Sequence, residues 1–315
     1  MSFKAPRGTK DILGTQVRGM SFIENAAREV FSKHNFTEVR TPIFEDTGLF
    51  TRSIGEATDI VEKEMYTFQD RKGRSLTLRP EGTAGLARAY IEHRLDISNP
   101  AGKFFYCGEM FRYERPQAGR YRQFSQIGAE YYGSTEPAAD AEIIILAAKV
   151  LNSVGIKNIK IHINSLGCPD CRPKYRQALV EYFAKAQDIC QDCARRLSKN
   201  PLRLLDCKVD NHKFADVPQM SGYICAPCKD NFSSVKNFLR AAGTEYIEDT
   251  KLVRGLDYYS RTVFEIRSAD VGSQDAIAAG GRYDGLLKQL GGQNTPAVGF
   301  ALGTERVYMA AQKAG

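Results

Sequence analysis

Apolar residues recur at the helical period over residues 17–34, with Phe22, Ile23, Ala26, Ala27, Val30 and Phe31 on one face, and this predicts an amphipathic helix. A short strand is expected over 37–41, ended by Pro42. Residues 103–111 and 123–132 read as strands flanking a polar loop, the pattern of a hairpin. Helices are predicted over 83–90, after the turn Arg79-Pro80-Glu81-Gly82, and over 138–154. Residues 156–164 alternate like a strand, with Ile159, Ile161 and Ile163 on one face. Further strands are expected at 252–253, 262–266 and 298–302. Residues 165–232 differ in texture, being rich in Cys, Lys, Arg and Pro and poor in strand pattern; they read as a small inserted helical module. Strands joined by hairpin-like turns, with helices at the edges, predict an α+β domain around an antiparallel sheet, not a doubly wound parallel one. The expected organisation is a core in two parts, 1–164 and 233–315, interrupted by the Cys-rich module at 165–232.

With 315 residues and 43% apolar content, the chain can bury a sizeable core. Lys and Arg outnumber Asp and Glu by 44 to 37, and the resulting +7 favours polyanionic partners without specifying one. No apolar run approaches the roughly 20 residues that span a bilayer. The opening MSFKAPRGTKDILG lacks the apolar stretch of a signal peptide, so a cytoplasmic location is expected. Neither a G-x-x-x-x-G-K-[ST] loop nor a strand-linked G-x-G-x-x-G is present, which argues against P-loop and Rossmann sites. H-E-x-x-H and G-x-S-x-G are absent too. His34, His93, His162 and His212 form no constellation and read as structural. Any ATP chemistry here falls to arginines.

The loop between residues 111 and 123 supplies them. Arg112, Arg115, Arg120 and Arg122 crowd around Glu114, and Phe124 adds a flat surface for a base. Guanidinium forks match phosphate oxygens two at a time and stay charged at any working pH. A solvated charged hairpin is the plainer alternative. Other segments weigh against it: Arg40-Thr41-Pro42-Ile43-Phe44-Glu45, the stretch 252–265 with Arg254 before Tyr258 and Tyr259, Gly280-Gly281-Arg282-Tyr283-Asp284-Gly285, and the Gly-spaced 299–306 ending in Glu305-Arg306. Glycines at alternate strand positions leave room for something flat to approach the backbone.

In this order and spacing, the segments resemble the catalytic domain of histidyl-tRNA synthetase, a class II aminoacyl-tRNA synthetase, over residues 6–306. The Arg40 segment looks like class motif 1, the hairpin like motif 2 and the Glu305-Arg306 segment like motif 3; those at Arg254 and Gly280 look like stretches peculiar to the histidine enzyme. The resemblance implies adenylation of histidine by ATP with Mg2+, then transfer of histidine to the 3′ end of tRNA(His). It implies catalytic roles for Arg112, Arg254 and Arg306, and an ATP site of Arg112, Glu114, Phe124 and Arg306. It also implies a histidine site of Glu81, Thr83, Gln126, a carboxylate at Glu130, Arg254, Tyr258 and Tyr259. Glu81 has a second reading as a helix cap, and Tyr258 as packing beneath the pocket. Arg115, Gln117 and Arg120 would meet the tRNA acceptor end, and a homodimer is expected because motif 1 supplies the seam in this class. The family normally continues into a C-terminal anticodon-binding domain, to which nothing after Arg306 corresponds. That departure keeps a second reading: the synthetase-like regulatory subunit of ATP phosphoribosyltransferase, a non-catalytic histidine sensor.

Six of the cysteines form C-x-x-C pairs within the inserted module: Cys168 with Cys171, Cys190 with Cys193 and Cys225 with Cys228, with Cys207 nearby. Two such pairs meeting in space make a tetrahedral zinc site, and a cytosolic chain argues against disulfides. The spacing does not say which pairs meet. Structural zinc, reduced thiols and redox pairs all stay open, zinc is not a general feature of the family, and no residue is assigned as a metal ligand.

Overall fold

Strand-forming runs at residues 103–111 and 123–132 build the hairpin from which the fold grows. The structure is a computed structural model that describes residues 3–55, 58–186, 189–207, 209–271 and 276–314. Its first elements are α1 (Thr15–Lys33), β1 (Thr37–Glu38), β2 (Phe44–Asp46), α2 (Thr47–Ile54), β3 (Tyr66–Gln69), β4 (Ser75–Leu78), α3 (Thr83–Glu92) and α4 (Leu95–Ser98). The hairpin itself is β5 (Lys103–Phe111) and β6 (Gln123–Tyr132), followed by α5 (Pro137–Ser153) and β7 (Lys160–Ser165). The helices α6 (Arg172–Phe183), α7 (Gln191–Lys199) and α8 (Ala226–Ala241) come next. The chain then adds β8 (Ile247–Glu248), β9 (Ser260–Arg267), β10 (Ala276–Arg282), α9 (Leu286–Gln289), β11 (Ala297–Gly303) and α10 (Thr304–Ala314).

The main sheet has the order β1-β5-β6-β11-β10-β9-β7-β8. From β5 to β7 every neighbour is antiparallel; only the two-residue edge strands β1 and β8 pair in parallel. A second, small sheet, β2-β4-β3, stands apart. On one face of the main sheet, Phe31 of α1, Ile143 of α5, Val235 of α8 and Val307 of α10 pack onto Ile127, Ala129, Phe264 and Phe300. Strand periodicity then dictates the rest: when Ile127 and Ala129 enter this core, Phe124, Gln126, Gly128 and Glu130 must face the other way.

The α+β, antiparallel expectation holds, and both hairpin strands end at the residues expected. Three local expectations fail. Phe22 is 58% exposed, because α1 turns Met20, Ile23, Ala27 and Phe31 inward instead. The strand over 37–41 shrinks to Thr37–Glu38, where pairing with Phe104 and Phe105 stops. Residues 252–253 are irregular, and their side chains are buried by packing without a strand partner. The module at 165–232 contains α6 and α7, but α8 runs through residue 232 without a break.

Arg282, in the Gly280–Gly285 segment, is fully buried. Its guanidinium donates to Asp140 Oδ2 (Nη2, 2.6 Å), the Ser134 carbonyl (2.7 Å) and Asp284 Oδ1 (2.9 Å), fastening β10 to the start of α5. Removing one partner strands a buried charge, which costs about 3–5 kcal/mol, whereas exchanging both for apolar groups of similar volume is far milder. Asp140→Ala is therefore expected to lower unfolding free energy in urea by that amount, and Asp140→Leu with Arg282→Met to recover most of it. Equal losses in single and double variants would show that the pair is not the fastening.

Candidate active site

The sheet face opposite the main core carries a cleft of ≈690 Å³. Its floor follows from register. β6 and β11 place Gln126 opposite Gly303, Gly128 opposite Ala301 and Glu130 opposite Gly299. These small residues are not all there for a ligand. A Cβ at Gly299 would overlap Glu130 Oε2, and one at Gly128 would overlap the Tyr106 ring. At Gly303 the nearest atoms to such a Cβ lie 3.8 Å away on Arg306, so here the backbone stays open to the cleft.

Arginines converge above this floor. Arg112 donates from Nε to the Pro80 carbonyl (2.8 Å), lies 3.8 Å from Glu114, and has its guanidinium carbon 5.4 Å from the Phe124 ring centre. Arg120 meets the same Glu114 at 2.8 Å. Arg306, at the start of α10, donates to the carbonyls of Gly119 (3.2 Å) and Ala276 (2.8 Å). Burial, reinforced by neighbouring Arg120, pushes its pKa down. Arg254 donates from Nη1 to Glu265 Oε2 (2.9 Å), while its buried Nε has no partner among the described residues. Glu305 anchors α10 to β6 by accepting the Ser125 N–H (2.9 Å).

A second group is acidic and hydroxylic. Glu81 accepts the N–H groups of Thr83 (2.7 Å) and Ala84 (2.9 Å), so it does cap α3 while lining the cleft. Burial raises its pKa against those backbone bonds. Thr83 Oγ1 donates to Glu130 Oε1 (2.7 Å), and the Tyr283 hydroxyl donates to Oε2. Glu130 is 1% exposed and lies beneath the lining; burial outweighs its two hydrogen bonds and pushes its pKa up to about 8. Burial thus favours the neutral form of the carboxyl expected there, against the two hydrogen bonds that favour its charge. Gln126 Oε1 and the Tyr106 hydroxyl are buried without partners among the described residues. The Tyr258 and Tyr259 rings pack against each other with centres 4.6 Å apart and planes tilted by 48°, and both reach the cleft.

Of the residues singled out in the sequence, Glu81, Thr83, Arg112, Glu114, Arg120, Phe124, Gln126, Arg254, Tyr258, Tyr259 and Arg306 line this one cleft. Glu130 underlies it. Arg115 and Gln117 are exposed at the hairpin tip, where Gln117 and Arg120 bridge a turn through Gly119 at φ 70°. Sequence reasoning gave no role to Glu265, the partner of Arg254, or to Tyr106, and did not bring Leu205 and Asp206 of the module to the cleft wall. Only Tyr106 had a readable signal: it pairs with Gly128 across the hairpin that alternation defines.

The family model described as histidyl-tRNA synthetase matches residues 8–307. A histidine–tRNA ligase of Endomicrobium trichonymphae is 65% identical over all of this chain, which spans 76% of that protein. One from Desulforamulus reducens is 51% identical over 98% of the chain and 75% of its own length. The crystal structure of apo S. aureus histidyl-tRNA synthetase superposes with a TM-score of 0.80 at 39% identity, covering 99% of this chain and 74% of that one.

Glu130 makes stability fall with pH. Between the ordinary glutamate value of 4.5 and about 8, the folded chain keeps a proton that the unfolded chain has released. Stability is therefore lost as pH rises through that window, on the order of a few kcal/mol. Glu130→Gln is expected to flatten this decline in urea titrations from pH 5 to 8. An unchanged slope would show that Glu130 is ionised in the folded chain.

Proposed function

Because the chain belongs to the histidyl-tRNA synthetase family, we infer from its cleft that it activates histidine with ATP and Mg2+ and transfers the histidyl group to tRNA(His). The observation that carries this reading is the convergence of Arg112, Arg254 and Arg306 with Glu81, Gln126 and Tyr259 in one cleft. The donor set fits the substrates: Arg254 Nε and Gln126 Oε1 are buried and unpartnered among the described residues, in want of an anion and a cation respectively.

The histidine carboxylate attacks the α-phosphorus and pyrophosphate leaves. Arg112 holds the α-phosphate as charge grows on its oxygens. Arg254 bridges that phosphate and the carboxylate, a fixed charge where the anion develops. Arg306 covers the adenine and reaches the γ-phosphate, Phe124 stacks on the other face, and Glu114 orients the nucleotide. Mg2+ arriving with ATP would be held largely by the phosphates, with few protein ligands, and would neutralise charge there. The histidine ammonium is accepted by Glu81, Thr83 and Gln126. Tyr259 reads a ring nitrogen, with Tyr258 packing alongside, while Glu130, its two oxygens bonded to Thr83 and Tyr283, supports the histidine pocket from beneath; a site that hydrogen-bonds the ring rejects apolar isosteres by roughly 10⁴-fold without editing. Arg115, Gln117 and Arg120 meet the acceptor end of tRNA. Ile43 and Phe44 of the Arg40 segment are 44% and 52% exposed, which suits them to the seam of a homodimer. The regulatory-subunit reading has less support, since relatives up to 65% identical are named histidine–tRNA ligases and Arg112, Arg254 and Arg306 all line the cleft.

The test is histidine-dependent ATP–pyrophosphate exchange, with other amino acids as controls. Exchange with histidine alone is expected. Histidine binding without exchange would favour the sensor. Arg254→Ala is expected to lower the exchange rate by about 10²-fold or more with a smaller change in the KM for ATP, because the guanidinium acts mainly on developing charge. An unchanged rate would remove Arg254 from the mechanism. Gly299→Ala is expected to raise the KM for histidine more than that for ATP, since its Cβ takes the place of the Glu130 carboxyl.

A further inference from the structure

The module carries two side-chain clusters that the adenylation chemistry does not use. We propose that each binds one Zn2+: Cys168, Cys171, Cys225 and Cys228 the first, Cys190, Cys193, Cys207 and Asp210 the second. In each quartet the ligand atoms all lie within 4.8 Å of one another. Tetrahedral zinc with Zn–S bonds of ~2.3 Å sets its sulfurs about 3.8 Å apart. In the first quartet Cys168 Sγ lies 3.5 Å from Cys171 Sγ and 4.0 Å from Cys225 Sγ, straddling that spacing.

The surroundings of the first quartet suit thiolates. The Cys225 N–H donates to Cys171 Sγ at 3.2 Å. Arg172, next to Cys171, has a buried Nε with no partner among the described residues, a positive charge beside what would be a dianionic Zn(Cys)4 centre. Gly167 at φ 62° makes the turn before Cys168, and a Cβ there would collide with Cys171 Cβ and Met220. Cys171 and Cys228 are buried while Cys225 is exposed, which leaves a way in for the ion.

The second quartet rests on a separate observation. Its halves, C-x-x-C at 190–193 and C-x-x-D at 207–210, repeat one i, i+3 spacing. Asp210 is 1% exposed, with its Oδ2 3.8 Å from Cys207 Sγ, and Cys190 Sγ is also 3.8 Å from Cys207 Sγ. The Asp210 N–H donates to Cys207 Sγ at 3.3 Å, as the Cys225 N–H does to Cys171.

Binding is ligand exchange without redox change: each thiol gives its proton to solvent as its Zn–S bond forms, and the zinc stays divalent. The first site joins the start of α6 to the start of α8, closing the module on itself where it leaves and rejoins the sheet. The second fixes the segment carrying Leu205 and Asp206, the module's part of the cleft wall.

The test is elemental analysis of the full chain, purified with reductant and without chelator. Two zinc ions per chain are expected, one in Cys225→Ser and one in Cys190→Ser. Replacing zinc by Co2+ in the unaltered chain is expected to give the thiolate charge-transfer and d–d bands of tetrahedral cobalt, a readout independent of whether the variants fold. A folded chain with no zinc and cysteines that react freely with a thiol reagent would overturn the proposal. Iron in place of zinc would overturn the assignment of the ion. Zinc content unchanged by either substitution would overturn the assignment of its ligands.

Discussion

A carboxyl group shut away from water constrains the whole cleft. Glu130 cannot sit beneath the floor as a bare charge; it must be neutral, fully hydrogen-bonded, or both. Meeting that demand recruits Thr83 from α3 and Tyr283 from the segment after β10, and it forbids a side chain at position 299 on β11. One buried group thus fixes the relation of a helix, two strands and a loop. The parity that turns Glu130 to this face also turns Phe124 and Gln126 into the cleft, so one strand supplies its floor.

The arginines obey the opposite rule. Arg112, Arg120 and Arg254 are partly exposed, and each is paired with Glu114 or Glu265. These carboxylates keep the guanidinium groups extended near where phosphate charge will appear. Such preorganisation is what makes a fixed charge effective in the transition state, since little has to move when the anion develops. Glu265 in particular lets Arg254 wait beside Tyr259 with one N–H unspent.

What could be read in the sequence was what local periodicity controls. The limits of β5 and β6 and the existence of α1, α3 and α5 follow from strand-like runs or helical spacing. β10 escaped because Ala276–Arg282 is built of small residues, whose strand state is imposed by its two neighbours and not by propensity. Phe22 was misplaced because two apolar faces competed along α1 and packing chose the one through Met20 and Phe31. The neutrality of Glu130 lay beyond reach, since it depends on burial by elements distant in sequence. So did the partnership of the cysteines: Cys168 and Cys225 meet across 57 positions through the path of α6, α7 and α8.

The module is more than an appendage, because its charges close a circuit back to the arginine hairpin. Arg196 meets Asp59 at 2.6 Å, Lys199 meets Glu62 at 2.6 Å and Arg203 lies 3.8 Å from Asp59. Asp59 precedes and Glu62 lies within the π-helical turn Ile60–Glu64, and the Glu64 carbonyl accepts the Tyr113 N–H (2.7 Å), one residue from Arg112. Glu64 itself is held above the usual carboxylate range by burial and by Glu114. A route of ion pairs and one backbone bond therefore joins the module that walls one side of the cleft to the loop that carries Arg112 and Arg120 on the other. Single pairs at this degree of exposure contribute little and weaken with salt. Their effect here is geometric: with several pairs converging on Asp59 and Glu62, the module and the hairpin cannot settle independently, and the shape of the cleft belongs to both.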